Sequence, residues 1–80
     1  MKYRVRIAIK PGVLDPEMET LQRLLKRSGV SDIQQVVHTQ QYDICLNESV
    51  PAEEAERVVR ALAEDVLANP EIHEWTIEAL

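Results

Sequence analysis

The chain opens with Lys2-Tyr3-Arg4-Val5-Arg6-Ile7-Ala8-Ile9-Lys10, a strict alternation of side chains. One face of this segment would carry Tyr3, Val5, Ile7 and Ile9, and the other Lys2, Arg4, Arg6, Ala8 and Lys10. A period of two is typical of a β-strand with one buried face. The segment therefore predicts a half-buried strand, which Pro11-Gly12 ends.

Two helices follow from capping residues and apolar spacing. Asp15-Pro16 suits an N-cap followed by proline at the first helical position, and Gly29 suits the C-terminal end. Ser49 to Pro51 can start a second helix, which Asn69-Pro70 stops. Apolar stripes at helical spacing are Met18, Leu21, Leu24 and Leu25 in the first helix and Ala55, Val58, Val59, Leu62 and Val66 in the second.

The remaining segments predict three more strands. Residues 33–46 favour two extended runs joined as a hairpin near Thr39-Gln40-Gln41, although that join lacks glycine. Trp75 and Ile77 share one face of a last strand. The order βαββαβ predicts a single α+β domain over residues 1–80, a ferredoxin-like antiparallel sheet with both helices on one face.

The predicted strand order 4-1-3-2 leaves one face of the sheet open. Arg4 and Arg6 would lie there on an inner strand, beside Glu74 and Glu78 on one flank and Asp43 on the other. Opposite charges would then be cross-strand neighbours. A balanced face of this kind suits solvent or a second subunit.

Size makes association with another chain attractive. A domain of 80 residues buries only about 60 to 65% of its unfolded surface. Cys45 is the single cysteine, and His38 and His73 stand alone, so neither a disulfide nor a metal site is predicted. We therefore expect a homodimer, with a tetramer as an open alternative.

Composition argues against membranes and nucleic acids as partners. No run of about 18 apolar residues is present and the N-terminal segment lacks the apolar block of a signal peptide, which predicts a soluble, cytoplasmic protein. The net charge of −5 has the wrong sign for binding a phosphate backbone.

No set of side chains predicts catalysis. His38 and His73 have no partner in sequence that would orient a base, and Cys45 lies in a strand with no sign of an activating helix terminus. The carboxylates of the second helix fall on its solvated face, and only two glycines are present, too few for a phosphate-binding loop. We expect no catalytic residue, no cofactor and no metal.

The loop from Lys10 to Pro16 has two interpretations. It contains two prolines, a glycine and the apolar pair Val13 and Leu14. It could be a plain strand-to-helix connection, or a rigid docking loop in which proline reduces the entropy lost on binding. The segment Ala68-Asn69-Pro70 has the same two interpretations.

Two segments resemble the PurS family, small subunits of the formylglycinamidine ribonucleotide (FGAM) synthase complex. Lys10-Pro11-Gly12-Val13-Leu14-Asp15-Pro16 resembles the first strand-to-helix loop of that family, and Leu67-Ala68-Asn69-Pro70-Glu71-Ile72-His73-Glu74-Trp75 resembles its C-terminal signature. One departure lies at Thr39-Gln40, where the family usually has glycine-lysine.

The resemblance implies a role in de novo purine synthesis. A PurS-like homodimer would bridge the synthase subunit PurL and the glutaminase subunit PurQ of an ATP-consuming, glutamine-dependent C–N ligase, so that ammonia passes between their sites. The candidate partner-binding residues are Lys10, Pro11, Gly12, Val13, Leu14, Asp15, Pro16, Thr39, Gln40, Asn69 and Pro70.

Two other classes of function stay open at this point. An ACT-like homodimeric sensor would share the βαββαβ order and bind a small ligand, such as an amino acid, between its subunits. A small enzyme of the same fold would use His38 or His73 as a base.

Overall fold

The computed structural model describes all 80 residues. Its elements, in chain order, are β1 (Lys2–Ile9), α1 (Pro16–Arg27), β2 (Gln40–Cys45), α2 (Ala52–Leu62), a π-helical turn (Ala63–Leu67) and β3 (His73–Ala79). No helix is both long enough and apolar enough to cross a membrane.

The three strands form one antiparallel sheet in the order β2-β1-β3. In the central strand Arg4 lies between Asp43 of β2 and Glu78 of β3. The predicted charge pairing across the open face is therefore confirmed. This order reproduces three positions of the ferredoxin-like sheet and leaves the far edge of β2 without a neighbour.

The core lies between the other face of the sheet and α2. Only six of 80 residues are buried: Val5, Ile7, Ala55, Val59, Ala63 and Ala68. Half-buried side chains that pack around them are Tyr3, Ile44, Leu46, Leu67, Trp75 and Ile77. The alternation of β1 is confirmed, because Val5 and Ile7 point inward while Arg6 between them is exposed.

The end of α2 departs from the regular helical spacing. The N–H of Ala68 donates to the carbonyl of Ala63 at 2.9 Å, a bond that spans five residues. The wider turn puts Leu67 and Ala68 against the core and leaves Val66 70% exposed. The prediction that Val66 belongs to the buried stripe was therefore wrong, because that stripe assumed 3.6 residues per turn throughout.

Helix α1 begins and ends where its caps predict. The Asp15 carboxylate accepts hydrogen bonds from the N–H groups of Glu17 (3.1 Å) and Met18 (3.3 Å), and Pro16 is the first helical residue. Ser28 is the C-cap, and Gly29 follows it with φ of 76°. A left-handed residue there suits glycine, which has no Cβ to clash.

Residues 16–39, which we call the arm, stand apart from the sheet. No residue of α1 is buried, and α1 makes no extensive contact with the sheet or α2. The returning segment runs back along α1, because Leu25, Ile33 and Val36 border one shallow cavity. The radius of gyration of 16.4 Å exceeds the roughly 12 Å expected for a compact domain of this length.

The arm corrects three expectations. Residues 33–39 do not form a strand of the sheet, and no hairpin forms at Thr39-Gln40-Gln41. Helix α1 does not pack against the sheet beside α2 within one chain, since it makes no extensive contact with either. The apolar pattern of both segments is real, but within one chain it is covered only in part, and no side chain of α1 is buried.

Candidate partner-binding site

The three segments predicted to contact partners lie at one end of the sheet. Gln40 of β2 pairs with Ile7, and His73 of β3 pairs with Ile9. Both neighbouring strands therefore reach the end of β1 where Lys10 begins its loop. We call residues 10–16, 39–40 and 69–70 the docking end. The structure brings together residues that are up to 60 positions apart.

Lys10 ties the first loop to the last one. Its N–H donates to the carbonyl of Ile72 at 2.8 Å, and its Nζ donates to the carbonyl of Pro70 at 2.6 Å. A hydrogen bond from a charged donor is stronger than a neutral one. The loop after β1 and the turn before β3 are therefore held as one surface.

The Asn69-Pro70 turn is held from within. The side-chain oxygen of Asn69 accepts from the N–H of Glu71 at 3.0 Å, and its carbonyl accepts from the N–H of His73 at 2.8 Å. Nδ1 of His73 accepts from the N–H of Asn69 at 2.8 Å. A backbone N–H can only donate, so Nδ1 is the acceptor in this bond. His73 thus fixes the turn.

The first loop presents an apolar tip. Gly12 has φ of 85°, a left-handed conformation that glycine adopts without strain. The N–H of Val13 donates to the carbonyl of Lys10 at 3.1 Å and closes the turn. Leu14 beyond it is 65% exposed. The loop therefore offers a large apolar side chain on a backbone that its turn and cap hold in place.

A cavity of about 380 Å³ lies where the arm joins the sheet. Its lining residues are Ile7, Ile9, Asp15, Pro16, Glu17, His38, Gln40 and His73. Nδ1 of His38 lies 4.0 Å from Oδ2 of Asp15, and its Nε2 lies 3.7 Å from Oε2 of Glu17. His38 and His73, which the sequence places on different predicted strands, both lie at this junction.

The junction does not have the geometry of a catalytic centre. Both separations around His38 are longer than a hydrogen bond, so neither carboxylate orients the imidazole as a base. No three histidine, cysteine, aspartate or glutamate side chains are placed to hold a metal ion. Cys45 is exposed and lies opposite Lys2 in the strand register, at the other end of β1 from this junction.

The open face of the sheet is held by charge pairs. Arg4 donates to both carboxylate oxygens of Asp43, at 2.8 and 3.2 Å, and Arg6 donates to Glu78 at 3.3 Å. The hydrogen bond from Arg4 lowers the pKa of Asp43, and the same bond raises the pKa of Arg4. The face therefore presents paired charges and no surplus of one sign.

The chain is a small α+β protein with ferredoxin-like strand order, and most of its side chains are exposed. The family model of PurS, described as phosphoribosylformylglycinamidine (FGAM) synthase, matches residues 2–80. This chain belongs to the PurS family. It is thus a subunit of FGAM synthase, which acts in purine biosynthesis.

Relatives of the chain agree with this family. The PurS subunit of FGAM synthase from Methanocaldococcus jannaschii is 35% identical over 77 residues, which cover 96% of this chain and 92% of that protein. The PurS subunit from Archaeoglobus fulgidus is 36% identical over 73 residues, covering 91% and 90% of the two chains. Neither match favours the ACT-like sensor.

Solved structures confirm the ferredoxin-like α+β fold. The crystal structure of M. jannaschii PurS, 35% identical, gives a TM-score of 0.79 over 96% of this chain and 92% of that one. A chain in the structure of PurLQS from Thermotoga maritima gives a TM-score of 0.75 over 99% and 95%. That chain is 22% identical, so this likeness concerns the fold alone.

Two contacts in or beside the docking end are not predicted by the sequence. The bond from Lys10 to Pro70 and the approach of His38 to Glu17 join residues far apart in the chain. No local pattern signals either of them. The only available hint was that both loop motifs would fall at strand ends.

Proposed function

We propose that the chain works as a homodimer that holds a PurL-like synthase subunit and a PurQ-like glutaminase subunit together in FGAM synthase. It contributes no reacting group. Ammonia released from glutamine passes from one large subunit to the other within the assembly. Residues of the docking end contact the partner chains.

The arm is the observation that carries this proposal. Leu24 and Val37 are 53% and 65% exposed, and no side chain of α1 is buried. A monomer in water gains nothing from so much exposed apolar surface, whereas an association interface does. The surface therefore supports a protein that acts by contact.

The docking end supports the same proposal. Lys10 joins its two loops by a hydrogen bond, and the side chain of Asn69 holds the turn in the second loop by another. The loops therefore lose little conformational freedom on binding. Leu14 supplies an exposed apolar contact at the tip. Preorganised loops with an apolar tip suit recognition of a protein surface.

The proposal also covers where the protein acts in the cell and which residues form one functional unit. We place the protein in the cytoplasm, since its one thiol, Cys45, is free and exposed, as is usual in a reducing compartment. We also treat residues 1–80 as one functional unit, because the family match runs from residue 2 to residue 80.

Reconstitution tests the proposal. The synthase and glutaminase subunits are assayed for FGAM formation with and without this chain, using either glutamine or ammonium chloride as the nitrogen source. We expect glutamine-driven turnover to need the chain and ammonia-driven turnover to proceed without it. Full glutamine-driven turnover by the two large subunits alone would refute the proposal.

A variant of the docking end sharpens this assay. Leu14→Asp places a charge on the apolar tip. At a given concentration, we expect this variant to activate glutamine-driven FGAM formation less than the natural chain does. Leu80→Asp is the matched control, since Leu80 is 55% exposed and lies outside the docking end. Equal activation by both variants would remove the docking end from the proposal.

A further inference from the structure

The imidazole of His73 can hold the Asn69-Pro70 turn in only one of its two charge states. Its Nδ1 accepts a hydrogen bond from the backbone N–H of Asn69 at 2.8 Å. An imidazolium carries a proton on both ring nitrogens and accepts no hydrogen bond. Protonation of His73 would therefore set two N–H groups against each other at a site where the neutral ring makes a bond.

The other hydrogen bonds of the turn do not replace this one. The side-chain oxygen of Asn69 accepts from the N–H of Glu71 at 3.0 Å, and its carbonyl accepts from the N–H groups of Ile72 (3.1 Å) and His73 (2.8 Å). These bonds use the acceptors of Asn69 and leave its own N–H aside. The ring of His73 is the only group of the chain that accepts from this N–H.

A place for the charged ring lies next to the turn. His73 lines the cavity of about 380 Å³ together with Asp15 and Glu17. A cavity of this volume has room for several water molecules, and the neighbouring carboxylates favour a cation there. Oδ1 of Asp15 caps α1. Its Oδ2 and the carboxylate of Glu17 have only His38 near them, at 4.0 and 3.7 Å.

The other charged groups around His73 do not cancel this attraction. His38 lines the same cavity and competes for the two carboxylates. Nζ of Lys10 is held by a carbonyl of the turn at 2.6 Å, and the N-terminus of α1 adds a partial positive charge. Glu71 lies in the turn, and Glu74 follows His73 on the opposite face of β3. Carboxylates therefore outnumber the fixed cations near the ring.

We propose that His73 is a pH-sensitive latch of the docking end. The neutral ring accepts from the N–H of Asn69 and holds the turn. When Nδ1 takes a proton from water, the ring releases this N–H and rotates into the cavity towards Asp15 and Glu17. Histidine ordinarily changes its charge between about pH 5 and 8, so acid releases the turn and alkaline pH restores it. As a control of partner binding the latch rests on the proposed function, whereas the motion of the ring can be measured on this chain alone.

NMR of the purified chain, labelled with ¹⁵N, tests the latch at about pH 5.5 and about pH 8. Carboxylates stay ionised between these values, because free aspartate and glutamate have pKa values of about 3.9 and 4.3. We expect nuclear Overhauser contacts from the ring of His73 to the amide of Asn69 at the higher pH, and to Glu17 at the lower one. The protection factor of the Asn69 amide in hydrogen exchange should fall by about fivefold in acid.

Two variants at position 73 separate the acceptor from the charge. His73→Asn keeps an oxygen close to the place of Nδ1 but takes no proton, so the protection factor of the Asn69 amide should be the same at both pH values. His73→Phe has no acceptor and should give low protection at both. His38→Asn is the matched control, and it should keep the pH dependence of the natural chain.

Three results would overturn the latch. They are equal protection of the Asn69 amide at both pH values in the natural chain, a loss of protection in acid that persists in His73→Asn, and a loss of the pH dependence in His38→Asn. Each is measured without the large subunits and so leaves the proposed function standing. Failure of the proposed function would appear instead in the reconstitution assay, whatever His73 does.

Discussion

Nζ of Lys10 donates a hydrogen bond of 2.6 Å to the carbonyl oxygen of Pro70. The two residues belong to the two loop motifs that resemble the PurS family, and this contact makes those motifs one surface. The N–H of Lys10 adds a second bond to the carbonyl of Ile72 at 2.8 Å. The side chain of Lys10 thus has a structural role at the docking end.

Replacing Lys10 by methionine should loosen the turn before β3. The variant keeps the aliphatic stem and loses the donor, so the cost in stability is about 1 kcal/mol or less for a contact near the surface. Hydrogen exchange should show faster exchange of the Glu71 and Ile72 amides. Lys26→Met is the control on α1, and equal protection in all three proteins would contradict this role.

The N-cap of α1 can be separated from the charge of Asp15. Asp15→Ala removes the acceptor for the N–H groups of Glu17 and Met18, which costs about 1 kcal/mol. Asp15→Asn keeps an acceptor and should cost much less. Urea unfolding at fixed protein concentration measures both. If asparagine destabilises as much as alanine, the negative charge and not the cap is what matters.

The pair of Arg4 and Asp43 makes stability depend on pH. The hydrogen bond from Arg4 lowers the pKa of Asp43 in the folded chain, whereas an aspartate in the unfolded chain has a pKa of about 3.9. The stabilisation is therefore present above the unfolded pKa and is lost as the pH falls through the folded pKa.

Asp43→Asn should accordingly lower the melting temperature at neutral pH, and the difference from the natural chain should shrink in acid. Glu48→Gln, at an exposed position after β2, serves as the control. A melting-temperature difference that stays constant from neutral to strongly acid pH would show that ionised Asp43 contributes no stability.

Because of the π-helical turn, alanine substitutions at Val59 and Val66 should differ in how much they lower the stability of the fold. Val59→Ala removes two methyl groups from a fully buried site and should cost about 2 kcal/mol. Val66→Ala changes a side chain that is 70% exposed and should change stability by less than about 0.5 kcal/mol. Chemical denaturation gives both values. Similar costs would mean that α2 continues with regular spacing.

Sequence patterns correctly predicted the features that depend on residue spacing, helix capping and strand order. The alternation of β1 places Val5 and Ile7 in the core, and the cap at Asp15 begins α1 where expected. The cross-strand pairing of Arg4 with Asp43 followed from the predicted strand order. These features depend on neighbours in sequence or on the sheet topology alone.

The arm and the junction could not be predicted in the same way. The apolar spacing of α1 shows that the helix has a face to bury, but does not show in which chain the covering surface lies. The π-helical turn shifts Val66 through a single extra residue. His38 meets Glu17 only because the arm doubles back on itself. All three depend on tertiary or quaternary structure.

Sedimentation velocity of the purified synthase and glutaminase subunits, with and without this chain, tests most directly whether the chain acts by joining proteins. With the chain present we predict one faster-sedimenting species that contains all three proteins, and without it we predict the two large subunits as separate boundaries. Identical complexes of the two large subunits in both mixtures would contradict the account.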